Sequence, residues 1–193
     1  MTGRRRTALL TAVAVAAGAL AGCGDGGWEK QCATNADGIV ECTPERRPEA
    51  RGVTGELLDG STYDLAGDRG TVVVVNFWGS WCAPCRAEAD DLERVYQATK
   101  ARDVTFLGVN WRDGRDAAKA FERGQRVTYP SIFDPPGKVA LAFEVSQANT
   151  PTTLVLDRQG RIAAAKRSSV TAEQLQRVVE RIAAEPAGQA GAD

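Results

Sequence analysis

Residues 74–88 read Val74-Val75-Asn76-Phe77-Trp78-Gly79-Ser80-Trp81-Cys82-Ala83-Pro84-Cys85-Arg86-Ala87-Glu88, an apolar run leading straight into two cysteines three apart. The Val-rich run starts at Thr71 and ends at Trp78. Such a run needs cover on both faces, which predicts a central strand of a sheet. From Pro84 to about Lys100 the spacing turns helical, with Ala89, Leu92, Val95 and Tyr96 on one face. Proline suits the first turn, because the donor it lacks would go unused there. Three residues make about one helical turn, so the two sulfurs can reach each other for a disulfide. Cys82 falls at the helix N-terminus, where unpaired N–H groups and the helix dipole favour a thiolate. Cys85, one turn in, is expected to be the more buried. That asymmetry assigns attack on a substrate disulfide to Cys82 and resolution of the mixed disulfide to Cys85. The competing readings are a structural disulfide or half a metal site, and no second close Cys pair follows to complete a metal set.

Outward from this stretch the pattern alternates. Val53–Leu58 and Ser61–Leu65 flank Asp59-Gly60, a hairpin signal. Val104–Trp111 predicts a strand, and Asp116–Arg126 a helix with Ala117, Ala120 and Phe121 inward. Ser131–Phe133 predicts a short strand, Gly137–Glu144 one or two helical turns, Thr152–Leu156 a strand, and Arg161–Lys166 a strand paired back across Asp157-Arg158-Gln159-Gly160. The last helix runs from Thr171 to about Glu185, with a capping box of Thr171 and Gln174 and an apolar stripe of Leu175, Val178, Val179 and Ile182. Gly24–Gln31 reads as a flexible tether and Thr43–Gly52 as a linker. The expected class is α/β, a central sheet flanked by helices.

The start of the chain reads as an address. Arg4-Arg5-Arg6 precedes a 14-residue apolar run, Thr7–Leu20. That is short of the ~20 residues of a membrane span and fits a secretory signal. The run ends in Leu20-Ala21-Gly22-Cys23, which resembles a bacterial lipobox and implies cleavage before Cys23 and a diacylglycerol on its thiol. An ordinary signal peptide with a chance Cys, or an uncleaved anchor, is the alternative. The expected division is 1–22 lipoprotein signal peptide, 23–52 tether and Cys32–Cys42 hairpin, 53–185 globular domain and 186–193 flexible tail. The chain has 193 residues, with 24 Lys+Arg against 25 Asp+Glu. The leader takes three arginines with it, leaving 21 against 25, a balance that argues against nucleic acid as a partner. The absence of His excludes a Ser-His-Asp triad, a Cys-His pair, a His-ligated zinc and a His-ligated haem.

Setting Cys23 aside leaves an even four cysteines, which suits an oxidising compartment. Proximity pairs Cys32 with Cys42 across the turn Asn35-Ala36-Asp37-Gly38. Three readings stand for that pair: a structural disulfide closing a small hairpin, a second redox pair exchanging with the first, or part of a four-cysteine metal site. The last fits poorly, because nine residues separate the two cysteines. No metal or other cofactor is expected beyond the redox-active pair Cys82–Cys85.

The 74–88 stretch, together with Gly108-Val109-Asn110-Trp111-Arg112-Asp113 and Thr150-Pro151-Thr152-Thr153-Leu154-Val155-Leu156-Asp157, resembles the thioredoxin superfamily, and within it the membrane-anchored TlpA/ResA-type thiol–disulfide oxidoreductases. The resemblance covers about residues 53–185 and leaves Cys32–Cys42 outside the family pattern. It implies a thioredoxin-like fold with a central mixed sheet, an N-terminal hairpin, and a strand–helix insertion at 131–144 before a cis-proline. It makes Thr150–Pro151 that cis peptide, facing the Cys pair, with Thr150 and Trp81 on the substrate side. Trp78 and Trp81 are expected to pack around the site rather than to act in catalysis. Thioredoxin has a buried Asp where this chain has Asn76; in the TlpA/ResA type an acidic residue at the end of the next strand takes a similar place, and Asp113 lies there. Asp113 is thus expected to take the Cys85 proton with a raised pKa, its alternative being a turn or cap residue. Arg86 and Glu88 read as a solvated helix face.

The implied activity is disulfide reduction outside the cytoplasm by a lipid-anchored enzyme. Its implied substrates are exported proteins such as apocytochrome c, and its implied electron source is an integral membrane donor. The reverse direction, a DsbA-like oxidase, is the alternative, and a binding protein with an inert Cys pair is the reading from another class. A peroxiredoxin would need a Cys after a Thr-Pro pair at a helix start, which the chain lacks.

Overall fold

The computed structural model describes residues 27–50, 52–145 and 147–186. The signal segment, Cys23 and residues 187–193 lie outside the described residues. The strands are β1 (Ala33–Thr34), β2 (Val40–Glu41), β3 (Thr54–Glu56), β4 (Thr62–Asp64), β5 (Val72–Trp78), β6 (Val104–Trp111), β7 (Ser131–Asp134), β8 (Thr152–Leu156) and β9 (Ile162–Lys166). The helices are α1 (Ala83–Thr99), α2 (Arg115–Gln125), α3 (Lys138–Ala142) and α4 (Ala172–Ala183).

Strand β5 is buried at every position, as its unbroken apolar run demands. It pairs parallel with β6 and antiparallel with β8. The full sheet runs β1-β2-β9-β8-β5-β6-β7, and β3–β4 form a separate hairpin. Alternation along β5 and β6 splits the core in two. Val73, Val75, Phe77, Leu107 and Val109 pack with Val139, Ala140 and Phe143 of the α3 side. Val72, Val74 and Phe106 pack with Leu92 and Val95 of α1 and Leu175 and Val178 of α4. Burying one such Val or Leu side chain stabilises by ~1.5–3 kcal/mol. Helix α4 opens on the Thr171–Gln174 capping box. The β7–α3 unit sits between β6 and the cis Thr150–Pro151 peptide, so the fold is the mixed α/β sheet that the resemblance implied, with its strand–helix insertion.

Three local expectations are corrected. On α2 the buried residues are Ala118 and Phe121, while Ala117 and Ala120 face solvent. Phe121 sets that rotation by stacking on Trp78 with ring centroids 4.6 Å apart. The segment 43–50 is no free linker. Arg47 is buried, and its guanidinium meets Asp157 at 3.1 Å and both carboxylate oxygens of Glu185 at 2.6 and 2.7 Å. A buried charge is costly unless paired in this way, so charges that read as solvated satisfy one another inside. The last part of the expected tether is folded: Trp28–Gln31 forms a 3-10 turn, and Trp28 packs on the core. The Cys32–Cys42 hairpin is continuous with the sheet, because β2 pairs with β9 and Ile39 joins the core.

Candidate active site

Parallel strands β5, β6 and β7 deliver their C-terminal ends to one edge, where the chemistry gathers. Strand β5 ends at Trp78, the chain turns through Gly79-Ser80-Trp81, and Cys82 is the N-cap of α1. The structure closes a disulfide between Cys82 and Cys85, with Cα atoms 5.3 Å apart. The Cys85 backbone N–H donates to Cys82 Sγ at 3.1 Å. A free N–H of the first helical turn thus points at the sulfur that would carry charge after reduction. The two residues do not differ in exposure as expected, at 3% for Cys82 and 2% for Cys85. The asymmetry between them is therefore electrostatic: Cys82 Sγ holds the helix-end hydrogen bond.

The loop before Cys82 is gripped from β6. Asp113 accepts from Ser80 N at 2.6 Å, Ser80 Oγ at 2.8 Å, Asn110 Nδ2 at 2.9 Å and Gly114 N at 2.8 Å. Burial pushes its carboxyl up, but the hydrogen bonds from Asn110, Ser80 and Gly114 outweigh this and hold it below the ordinary carboxylate range. The expectation of a raised pKa at Asp113 is thus corrected: with that many donors the charge is favoured, and the residue is a loop clamp. Arg112, with φ of 52°, makes the turn that aims its carbonyl at Trp81 Nε1, which donates to it at 3.1 Å. A Cβ on Gly79 would stand 2.5 Å from the same Nε1, so only glycine lets the indole fold over the loop. Trp81 remains 54% exposed beside the disulfide. Beneath it Trp78 donates to Ser131 Oγ at 3.3 Å, an approach that a side chain at Gly108 would block.

Glu88 is the residue that sequence reasoning misplaced. It lies one turn beyond Cys85 on the buried face of α1, only 2% exposed. Its carboxylate accepts from Asn76 Nδ2 at 2.9 Å and Val170 N at 3.0 Å. Burial dominates those two hydrogen bonds and pushes its carboxyl up to about 7. Two signals were present: Glu88 sits on the stripe of Cys85, Ala89 and Leu92, and Asn76 is a polar residue in an apolar strand and needs a buried partner. Asn76 Nδ2 also donates to Thr153 Oγ1 at 3.0 Å, tying α1, β5 and β8 together.

The peptide Thr150–Pro151 is cis and precedes β8, whose Thr152 lies opposite Phe77 of β5. Pro151 therefore sits at the same sheet edge as Cys82. Thr150 Oγ1 is buried without a hydrogen-bond partner. The structure pairs Cys32 with Cys42 as a second disulfide at the far edge of the sheet. Among the described residues no group of His, Cys, Asp or Glu side chains could hold a metal ion. Space behind Cys85, lined by Asn76, Trp78, Phe121 and Tyr129, amounts to about 10 Å³. A roomier groove of about 380 Å³ between Leu58, Lys119 and Arg126 is not lined by the cysteines. The disulfide is therefore nearly buried, with little space behind Cys85 and the exposed Trp81 beside it.

A Cys-x-x-Cys disulfide capping the first helix, beside a cis-proline on the neighbouring strand, defines a thioredoxin-like thiol–disulfide oxidoreductase. Residues 48–165 match the AhpC/TSA family, and the chain belongs to it. It is 30% identical over 125 residues to the thiol–disulfide oxidoreductase ResA of Geobacillus kaustophilus, covering 65% of this chain and 71% of that one. The crystal structure of a DsbF homologue from Corynebacterium diphtheriae is 38% identical, with a TM-score of 0.71, covering 74% of this chain and 92% of that one. A secreted thiol–disulfide isomerase from Corynebacterium glutamicum is 35% identical, also with a TM-score of 0.71, covering 78% of this chain and 96% of that one.

Proposed function

We propose that the protein is a lipid-anchored, extracytoplasmic disulfide reductase acting on exported proteins, with apocytochrome c the substrate class implied by its resemblance to the TlpA/ResA type. The observation that carries the chemistry is the Cys85 N–H aimed at Cys82 Sγ at 3.1 Å. In the reduced enzyme that donor and the helix end favour the Cys82 thiolate. The thiolate attacks one sulfur of a substrate disulfide, forming a mixed disulfide and releasing the other sulfur as a thiolate. Cys85 then attacks Cys82 Sγ, the second substrate sulfur leaves, and two electrons have passed to the substrate. Cys85 must lose a proton to attack, and Glu88, whose carboxyl is near 7, is the buried group assigned to take it. Asp113 holds the loop, and Trp81 and Thr150 flank the incoming chain. An integral membrane dithiol donor restores the reduced pair. Secretion of the Corynebacterium glutamicum relative supports the compartment, and Leu20-Ala21-Gly22-Cys23 supports the anchor.

A trapping experiment tests the roles. With a disulfide-bonded Cys-x-x-Cys-His peptide as substrate, reduced Cys85→Ser is expected to accumulate a mixed disulfide through Cys82, and Cys82→Ser none. Trapping through Cys85 in Cys82→Ser, at the rate of the Cys85→Ser adduct, would reverse the assignment.

A further inference from the structure

The residues that follow Gly27 are packed against the domain. Trp28 rests on the cluster that holds Phe143 and Val145, and Glu29 pairs with Arg167. A Cβ on Gly27 would lie 3.7 Å from Glu144 Oε2, so Gly27 lies beside the end of α3. This is the reactive edge of the sheet. Lys166 lies opposite Thr153, which places Arg167 level with Thr152, next to the cis-proline, and Thr152 lies opposite Phe77, just ahead of the Cys82 loop. On the outer side of α3, Leu141 is 77% exposed, and among the described residues only Trp81 joins it as an exposed large hydrophobic. Lys138 and Ala142 are exposed on the same short helix.

Only Gly24-Asp25-Gly26 separates Gly27 from Cys23. Four Cα steps reach at most ~14 Å, against a domain about 40 Å across. A lipid on Cys23 therefore cannot leave the Gly27 face pointing away from the bilayer. We propose that this face, formed by Gly27 and the outer side of α3, rests on the membrane with Leu141 among the lipid headgroups, and so holds the Cys82–Cys85 edge low over the bilayer. The placement rests on the lipid anchor put forward above. The acyl chains supply the binding, while one exposed leucine and the short tether set the orientation. Reactive cysteines held there meet partners whose own cysteines lie at the membrane surface.

The test uses the acylated full chain on phosphatidylcholine vesicles, with the photo-crosslinker p-benzoylphenylalanine in place of Leu141 or of Ala101. Both positions are exposed, so neither exchange disturbs the core, and Ala101 lies at the opposite end of the sheet, between α1 and β6. The expected result is several-fold more phospholipid adduct at 141 than at 101, and loss of that preference when a long Gly-Ser segment is inserted after Gly24. Equal adducts at both positions in a chain that mass spectrometry shows to be acylated overturn the placement and leave the anchor standing. A preference that survives the longer tether overturns the claim that the tether sets orientation. A chain with no acyl group on Cys23 that washes off the vesicles overturns the anchor and the placement together.

Discussion

The Cys82 sulfur accepts a helix-end N–H at 3.1 Å, whereas the Cys32 sulfur lies 3.6 Å from the carbonyl oxygen of Trp28. One pair faces a donor that would stabilise a thiolate, and the other faces an acceptor that would oppose one. Cys82–Cys85 closes a single helical turn beside an exposed indole, a cis-proline and a buried carboxylate. Cys32–Cys42 joins positions ten apart in sequence across two strands of two residues each. That hairpin is otherwise held by the β2–β9 pairing, by Ile39 in the core and by surface pairs such as Asp37–Arg177 and Glu41–Arg181, and surface pairs of that kind each contribute ~0–1 kcal/mol. The same covalent bond thus stands in two different electrostatic settings, one that favours a thiolate at Cys82 and one that disfavours it at Cys32.

Cys82 carries the largest expected effect. Cys82→Ser is expected to abolish turnover of a disulfide substrate while leaving the fold intact. Residual turnover near wild type would move the reaction to the other pair.

Glu88 gives the next largest effect. Its carboxyl is raised from 4.5 to about 7 by burial, so the native state holds a proton that the unfolded chain releases above about 4.5. Stability carried by this group is present below the lower value and is lost as pH rises from about 4.5 to about 7, by up to ~3 kcal/mol. Glu88→Gln is expected to flatten that slope in denaturant titrations across pH and to slow resolution of the mixed disulfide. An unchanged slope would show that Glu88 does not titrate in this range.

Cys32→Ser with Cys42→Ser sharpens the contrast from the other side. Loss of a loop this short is expected to cost ~2–3 kcal/mol, read as a lower denaturation midpoint, with disulfide reduction unchanged. A double variant that folds normally but cannot turn over would make the pair a redox relay.

Asp113→Asn has the smallest expected effect, roughly 1–2 kcal/mol from hydrogen bonds weakened or turned donor against donor. The carboxyl sits below its ordinary value of 3.8. Its contribution is therefore present above that value and lost as pH falls through the lower native value. The wild-type advantage is expected at pH 7 and to vanish in strong acid. An advantage that instead grows in acid would contradict the clamp.

The fold and the cysteine pair were legible because they rest on local signals. The apolar run of β5, Pro84 early in α1 and the Thr171–Gln174 box each announce their element through residues close in sequence. Glu88 was not legible as a site residue from charge alone, since its burial depends on Val170 and Asn76 from distant elements. Asp113 was placed near the cysteines but given the wrong electrostatics, because four donors converge on it only once the Ser80 loop is folded. Arg47 misled for a related reason: both of its carboxylate partners lie more than a hundred residues further along the chain.

Redox titration of the two pairs in one protein is the most direct test. Samples equilibrated in dithiol–disulfide buffers, alkylated and read by mass spectrometry pair by pair, give two midpoints. The expected result is Cys82–Cys85 near the thioredoxin value of ~−270 mV and Cys32–Cys42 below ~−300 mV, the range of structural disulfides. A Cys82–Cys85 midpoint near ~−120 mV would make the enzyme an oxidase, and coincident midpoints for the two pairs would contradict the division of roles between them.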